Sequence, residues 1–220
     1  ASDVYKRQIT FINSLDTKNS EILEDIEREA LADNVPIIRR EMQSFLKVLL
    51  MVKKPMRVLE VGTAVGFSAL LMSEYVPEEC AITTIENYEK RIPIARQNFV
   101  RAGKEKKITL LEGDAMDVLK TLEGPYDFIF MDAAKGQYIH YMPEAVRLLS
   151  DGGILMSDNV LQDGDIIESR FAVERRNRTI HSRMRDYLYE LKHSNVLETS
   201  IIPLGDGVAL SITKKKEEKH

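Results

Sequence analysis

The sequence has little cysteine and no long apolar run. Cys80 is the one cysteine among 220 residues, which excludes an intramolecular disulfide framework and a cysteine-rich zinc site. We expect Cys80 to be a small buried residue beside a strand. No apolar run reaches the roughly eighteen residues that a membrane span needs, and residues 1–8 lack the apolar stretch of a secretion signal. These absences predict a cytoplasmic protein without a membrane segment.

The sequence also lacks an excess of basic residues. Its 31 Lys and Arg against 35 Asp and Glu give a formal net charge of −4, a poor overall match to a nucleic-acid-binding protein. The average hides a local patch, however. From Arg170 to Arg185 there are six arginines against one acid, Glu174, and Arg39 and Arg40 add positive charge earlier in the chain.

Helical patterns open the chain and a strand–helix alternation follows. Apolar residues at three- and four-residue spacing predict helices over 19–32 and 36–52, where Pro36 suits a first helical turn. The later alternation predicts an α/β fold, a parallel sheet with helices on both faces. The predicted strands are 57–61, 81–86, 107–112, 127–132 and 153–158.

The strand–helix alternation ends after Asp158. We predict a long polar helix over 165–192, then strands 196–202 and 207–213, joined by a short glycine-containing connection that indicates an antiparallel hairpin. These elements make one domain, 19–213. Residues 1–18 are predicted to be flexible or a non-native start, and residues 214–220 a charged tail.

A glycine-rich turn follows the first strand. Gly62 and Gly66 let the backbone turn tightly and approach a ligand closely, at the sheet edge where open parallel sheets bind ligands. The glycine spacing departs from the GxGxxG pattern, which disfavours an NAD-dependent oxidoreductase. Glu60, just before the turn, favours a cationic cofactor. An ordinary glycine-rich turn is the alternative.

Acidic residues end the second and third strands. Glu86 is placed to accept hydrogen bonds from ribose hydroxyls, and Asp114 with the amide of Ala115 could read an adenine edge. The alternatives are a solvated Glu86 and an Asp114 that caps the following helix. Three acidic residues at three successive strand ends favour the cofactor interpretation.

Oxygen ligands follow the fourth and fifth strands. Asp132, Asp158 and Asn159 form a set without histidine, which suits Mg²⁺, with Mn²⁺ or Ca²⁺ as alternatives, better than zinc. Lys135 lies on the turn beside this set, where a metal ion and desolvation favour a proton-accepting lysine. It could take a proton from a metal-bound hydroxyl. Capping aspartates and a surface lysine are the alternatives.

These motifs resemble those of the metal-dependent O-methyltransferases of the catechol and caffeoyl-coenzyme A type. The resemblance implies S-adenosylmethionine as cofactor, Lys135 as the catalytic residue and a homodimer. It implies a Rossmann-like class I methyltransferase fold, with a seven-stranded, mostly parallel sheet and an antiparallel last strand. Metal ligation would fall to Asp132, Asp158 and Asn159. With the acidic strand ends, the expected cofactor-binding residues are Ile37, Glu60, Gly62, Ser68, Glu86, Asp114, Ala115 and Asp132.

Within that family the chain looks most similar to the bacterial enzymes that methylate 5-hydroxyuridine at the tRNA wobble position, giving 5-methoxyuridine. The 5-hydroxyl lies next to a carbonyl, an oxygen pair that chelates Mg²⁺ much as a catechol does. The stretches that carry this similarity are 35–37, 132–138, 157–161 and 201–207.

Two acceptors therefore stay open. For a tRNA anticodon loop, phosphate contacts are expected at Arg39, Arg175, Arg176 and Arg178. A small phenolic substrate, as in a catechol or phenol O-methyltransferase, would need the same metal and lysine but an apolar lip. The arginines could also form a solvated face or a dimer contact.

Overall fold

The computed structural model describes residues 2–169 and 171–214. The helices in this part of the chain are α1 Ser2–Ser14, α2 Glu21–Ala32, α3 Arg40–Lys53, α4 Phe67–Tyr75, α5 Ile92–Arg101, α6 Ala115–Thr121, α7 Tyr138–Leu148 and α8 Arg178–His193. The strands are β1 Arg57–Val61, β2 Ala81–Glu86, β3 Ile108–Glu112, β4 Tyr126–Met131, β5 Leu149–Ser157, β6 Leu197–Ile202 and β7 Val208–Thr213. None of the described helices is both long and apolar enough to cross a membrane.

The strands form one seven-stranded sheet in the order β3-β2-β1-β4-β5-β7-β6. Strands β1 to β5 pair in parallel, whereas β7 is antiparallel to both of its neighbours, β5 and β6. The strand order reverses between β1 and β4, and a reversal of this kind opens a crevice at the carboxyl ends of the strands. The predicted fold is confirmed, including the closing hairpin.

The central strands are buried on both faces because helices cover both sides of the sheet. Successive side chains of β4 point to opposite faces. Phe128 and Phe130 pack in a cluster with α2, α3, α4 and α5, and Ile129 and Met131 pack in a second cluster with α6, α7 and α8. Cys80 is buried before β2, as predicted.

The helix predicted from Pro36 begins instead at Arg40. The side-chain amide of Gln43, fully buried, donates to the carbonyl oxygen of Ile38 at 2.9 Å. This hydrogen bond holds the preceding residues outside the helix, and the segment 36–39 lines a pocket at the carboxyl ends of the strands instead.

The long helix predicted over 165–192 is also wrong in its first half, because α8 begins at Arg178. Short 3₁₀ turns occupy Gln162–Ile167 and Arg175–Asn177. Arg178 Nε donates to the carbonyl of Val173 at 3.2 Å, and His181 Nε2 lies 3.1 Å from the carbonyl of Glu168. Side chains of α8 thus hold carbonyls that a continuous helix would use itself.

The segment 1–18, which we predict to be a flexible or non-native start, contains a helix, α1. The Tyr5 hydroxyl donates to the carbonyl of Pro203 at 3.3 Å, and Asn13 Nδ2 donates to the Glu41 carboxylate at 3.3 Å. These contacts attach α1 to α3 and to the connection between β6 and β7. The predicted tail, apart from Lys214, lies outside the described residues.

We expect Phe128→Ala to lower the free energy of unfolding by about 3–5 kcal/mol, because it opens a cavity in the sheet core. Phe128 is 0% exposed, whereas Phe171 is 84% exposed. Phe171→Ala is therefore a matched control that should stay close to the unmodified protein. Urea denaturation measures both, and equal losses would contradict the proposed position of the core.

Candidate active site

A cavity of about 590 Å³ lies at the carboxyl ends of the parallel strands. Its walls come from the turns after β1 to β5, the segment 36–39 and the connection between β6 and β7. The size is typical of a site for a cofactor or small ligand. Most of the predicted cofactor-binding residues line it, namely Ile37, Gly62, Ser68, Glu86, Ala115 and Asp132.

Glycine is required at position 62 by a close approach between two strand ends. Gly62 has φ of +93°, and a Cβ atom there would lie 2.2 Å from the carbonyl oxygen of Asp132. A side chain would therefore separate the turn after β1 from the turn after β4. This glycine keeps the glycine-rich turn and the proposed metal ligands in one pocket.

Glu60 lies beneath the pocket instead of lining it. Its carboxylate is 0% exposed and accepts hydrogen bonds from the hydroxyls of Ser68 and Thr84. Burial raises its pKa to about 7, while the hydroxyl donors oppose the rise. Ser68 does line the pocket, so Glu60 can orient a pocket group from below. Direct contact between Glu60 and a cofactor stays a prediction.

Glu86 ends β2 and lines the pocket from the other side. One carboxylate oxygen accepts from the backbone amide of Ala64 at 2.8 Å, and the other accepts from the amide of Tyr88 at 2.9 Å. The carboxylate therefore ties the glycine-rich turn to the end of β2. Its second role, accepting from ribose hydroxyls, stays a prediction.

Asp114 caps α6, which is the alternative that we gave to an adenine contact. Its carboxylate accepts from the amide of Met116 at 2.9 Å, and the residue is exposed. Gly113 and Ala115, on either side, line the pocket, whereas Asp114 does not. An adenine contact at this turn would then use the backbone of Ala115 more readily than the Asp114 side chain.

Asp132, Asp158 and Asn159 lie together at one end of the pocket. Asn159 Nδ2 donates to the Asp132 carboxylate at 3.2 Å, and its backbone amide donates to the Asp158 carboxylate at 2.7 Å. Burial raises the pKa of both aspartates, and the neighbouring Asp132 charge adds to the effect on Asp158, whose pKa rises to about 7. A bound cation would stabilise both carboxylates in their charged form.

These three residues fit a hard divalent cation in donor type. Two carboxylates and an amide oxygen suit Mg²⁺, which keeps several waters and needs few protein ligands. Asn159 presents its amide nitrogen to Asp132. Among the described residues, no group of three or more His, Cys, Asp or Glu side chains is placed to hold a metal. Metal ligation therefore stays a prediction.

Lys135 lies beside these residues and contacts a carboxylate that the sequence analysis missed. Its Nζ is 3.0 Å from Asp206 Oδ2, and the Asp206 side chain is 4% exposed. Asp206 comes from the connection between β6 and β7, 71 residues away in sequence. The sequence feature that could have indicated Asp206 is its place between two glycines, Gly205 and Gly207. Both glycines have positive φ in the structure.

The four arginines predicted to contact RNA lie in different surroundings. Arg39 lines the pocket, whereas Arg175 and Arg176 are exposed and are not among the residues that line it. Arg176 pairs with Glu174 at 2.7 Å. Arg178 is used within the fold, donating to the carbonyls of Val173 and Phe171. Of the four predicted RNA contacts, Arg39 is therefore the one that the fold brings to the pocket.

Solved structures share the whole architecture. A putative caffeoyl-CoA O-methyltransferase from Staphylococcus aureus is 28% identical with a TM-score of 0.85, and the match covers 96% of this chain and 99% of that one. The S-adenosylhomocysteine-bound methyltransferase of Podospora anserina is 26% identical with a TM-score of 0.87, covering 97% and 96%. The fold and its pocket define this chain as a class I methyltransferase.

Sequence comparison gives the family. A profile described as O-methyltransferase matches residues 13–215. Caffeoyl-CoA O-methyltransferase 2 of Populus trichocarpa is 32% identical over 180 residues, 76% of this chain and 70% of that protein. Catechol O-methyltransferase of Niastella koreensis is 34% identical over 128 residues, 56% of this chain and 58% of that protein's length. The chain belongs to the O-methyltransferase family.

We expect Gly62→Ala to weaken S-adenosylhomocysteine binding at least tenfold and to lower the free energy of unfolding by at least about 2 kcal/mol, since the new Cβ meets the Asp132 carbonyl. Gly152→Ala is the control. Gly152 also has positive φ, +68°, but a Cβ there meets nothing within 4 Å, so about 1 kcal/mol is expected. Calorimetry and urea denaturation measure the two effects. Normal ligand binding by Gly62→Ala would contradict the proposed close approach.

Proposed function

We propose that this chain is an S-adenosylmethionine-dependent O-methyltransferase that uses Mg²⁺ and methylates one oxygen of an adjacent oxygen pair on a small phenolic acceptor. The observation that carries the proposal is the meeting of Lys135 with Asp132, Asp158 and Asn159 at one end of the cofactor-sized pocket. The names of the relatives, catechol and caffeoyl-CoA O-methyltransferases, support an acceptor of this class.

The proposed cofactor fits the other end of the pocket. Glu86 offers a carboxylate to ribose hydroxyls, and the glycine-rich turn lets the backbone approach the ligand. The related Podospora protein binds S-adenosylhomocysteine, the product expected of such a methyl donor. Ile37 and Ala115 supply apolar walls.

The chemistry assigned to the chain is proton removal and positioning. When bound, S-adenosylmethionine supplies the methyl group, and Mg²⁺ acidifies the acceptor hydroxyl and fixes the neighbouring oxygen. Lys135 Nζ, as the neutral amine, would take the hydroxyl proton. The oxygen electron pair would then form the new bond to the methyl carbon as the bond from that carbon to sulfur breaks and its electron pair stays on sulfur. Asp206 holds the Lys135 ammonium 3.0 Å away and balances the charge that the proton brings. Positioning of this kind supplies much of the acceleration.

A second acceptor, 5-hydroxyuridine at the tRNA wobble position, is supported by one observation. Arg39 lines the pocket and packs near Gly205, the neighbour of Asp206. Its Cδ lies 3.7 Å from the point where a side chain at position 205 would place its Cβ. A guanidinium there could hold a phosphate beside the acceptor. Arg175 and Arg176 are exposed and do not line the pocket, and Arg176 pairs with Glu174 at 2.7 Å, whereas Arg178 donates within the fold. Relatives' names favour the phenolic acceptor.

Methyl transfer from labelled S-adenosylmethionine tests both acceptors. The protein is incubated with Mg²⁺ and either catechol, phenol or tRNA carrying unmethylated 5-hydroxyuridine, each with an EDTA control. We expect metal-dependent label in catechol and little in phenol, which lacks the second oxygen. Label in tRNA instead, weakened by neutralising Arg39, Arg175 and Arg176, would establish the second acceptor. Transfer that persists in EDTA would contradict the metal assignment.

Lys135→Ala should lower kcat at least about a hundredfold, because a positioned base contributes that much, while S-adenosylhomocysteine affinity changes little. Lys120→Ala, an exposed lysine in the last turn of α6, is the matched control and should keep the kcat of the unmodified protein. Steady-state kinetics and calorimetry separate the two quantities. A Lys135→Ala variant with near-normal turnover would remove Lys135 as the base.

A further inference from the structure

One buried hydroxyl joins the two strand ends that carry the paired aspartates. Tyr138 is the first residue of α7 and is 0% exposed. Its hydroxyl lies 3.2 Å from the carbonyl oxygen of Met131 and 3.1 Å from that of Asp158, and it accepts a hydrogen bond from the amide of Ala133 at 3.3 Å. These partners flank Asp132 on both sides and include Asp158 itself.

The hydroxyl lies where the ladder between β4 and β5 ends. Met131 pairs with Ser157 in that ladder, and the amide of Asp158 donates to the carbonyl of Met131 at 3.0 Å as the last bond between the strands. Beyond it, the Tyr138 hydroxyl links the Ala133 amide to the Asp158 carbonyl. The hydroxyl therefore takes the place of the next backbone hydrogen bond between the two strands.

The hydroxyl is suited to both roles. A phenol both donates and accepts one hydrogen bond in this geometry. The neutral phenol carries the proton that it donates. Tyr138 does not line the pocket, so it acts on a ligand through its neighbours.

We propose that the Tyr138 hydroxyl is a positioning group that fixes the main chains of Asp132 and Asp158 relative to each other, so that their carboxylates are held ready for a divalent cation before it binds. The inference rests on the proposed function, because it needs these two aspartates to bind Mg²⁺. Groups that orient metal ligands typically change metal affinity about 10- to 100-fold when they are removed.

The test compares Tyr138→Phe with Tyr187→Phe. Tyr187 is also 0% exposed, its ring centre lies 5.6 Å from that of Tyr138, and its hydroxyl lies 2.6 Å from the Ser157 hydroxyl. Both variants lose one buried hydroxyl from the same cluster, but Tyr187 contacts a side chain and not the main chain of the aspartates. Calorimetry measures the Kd of Mg²⁺, and separately the Kd of S-adenosylhomocysteine in EDTA.

We expect Tyr138→Phe to raise the Mg²⁺ Kd at least about tenfold, with the S-adenosylhomocysteine Kd within twofold of the unmodified protein. Tyr187→Phe should keep the Mg²⁺ Kd within threefold, although its melting temperature falls. An unchanged Mg²⁺ Kd in Tyr138→Phe, or an equal rise in both variants, would overturn the proposal.

A measurement on the unmodified protein covers the case in which Tyr138→Phe does not fold. Amide hydrogen exchange followed by NMR should find the Ala133 amide protected without metal and little changed by added Mg²⁺. Protection that appears only with Mg²⁺ would overturn preorganisation by Tyr138. Asp158→Ala distinguishes failure of the proposed metal site from failure of the Tyr138 inference alone. If this variant binds Mg²⁺ as the unmodified protein does, the proposed metal site is wrong, and the Tyr138 inference is wrong with it.

Discussion

The hydrogen-bonded register of β1, β4 and β5 is the constraint on which the site depends. The Asp132 amide donates to the Val61 carbonyl, and the Asp158 amide donates to the Met131 carbonyl, both at 3.0 Å. Parallel strands in this register end at one level, so the residues that follow them meet at one edge of the sheet. A slip of one residue would turn every side chain of a strand to the other face and would remove an aspartate from the pocket.

The electrostatics of the site follow from this convergence. Asp132 and Asp158 are brought into a poorly hydrated place, which raises the pKa of each. Asn159 and Lys135 partly offset that cost by hydrogen bonding and by charge. Asp206 adds a further acid beside Lys135, so the group as a whole carries more acid than base. This balance is what makes a divalent cation a chemically reasonable occupant.

The strands and the family could be predicted because their signals are local. Runs of β-branched and apolar residues define each strand, and the acidic and glycine positions stand at fixed offsets from strand ends. The starts of α3 and α8 could not be predicted in this way. Their positions depend on side chains, Gln43, Arg178 and His181, that bind carbonyls outside the helices. Periodicity alone does not show such bonds.

By itself, the sequence determined the α/β fold, the glycine-rich turn and the strand ends from which Glu86, Asp132 and Asp158 come. Only the tertiary structure decided which polar residues act together. It brought Asp206 to Lys135 across 71 residues and used Arg178 within the fold. The reason is physical: strand identity is written in neighbouring residues, whereas side-chain partnerships depend on how distant segments pack, which a linear charge pattern does not contain.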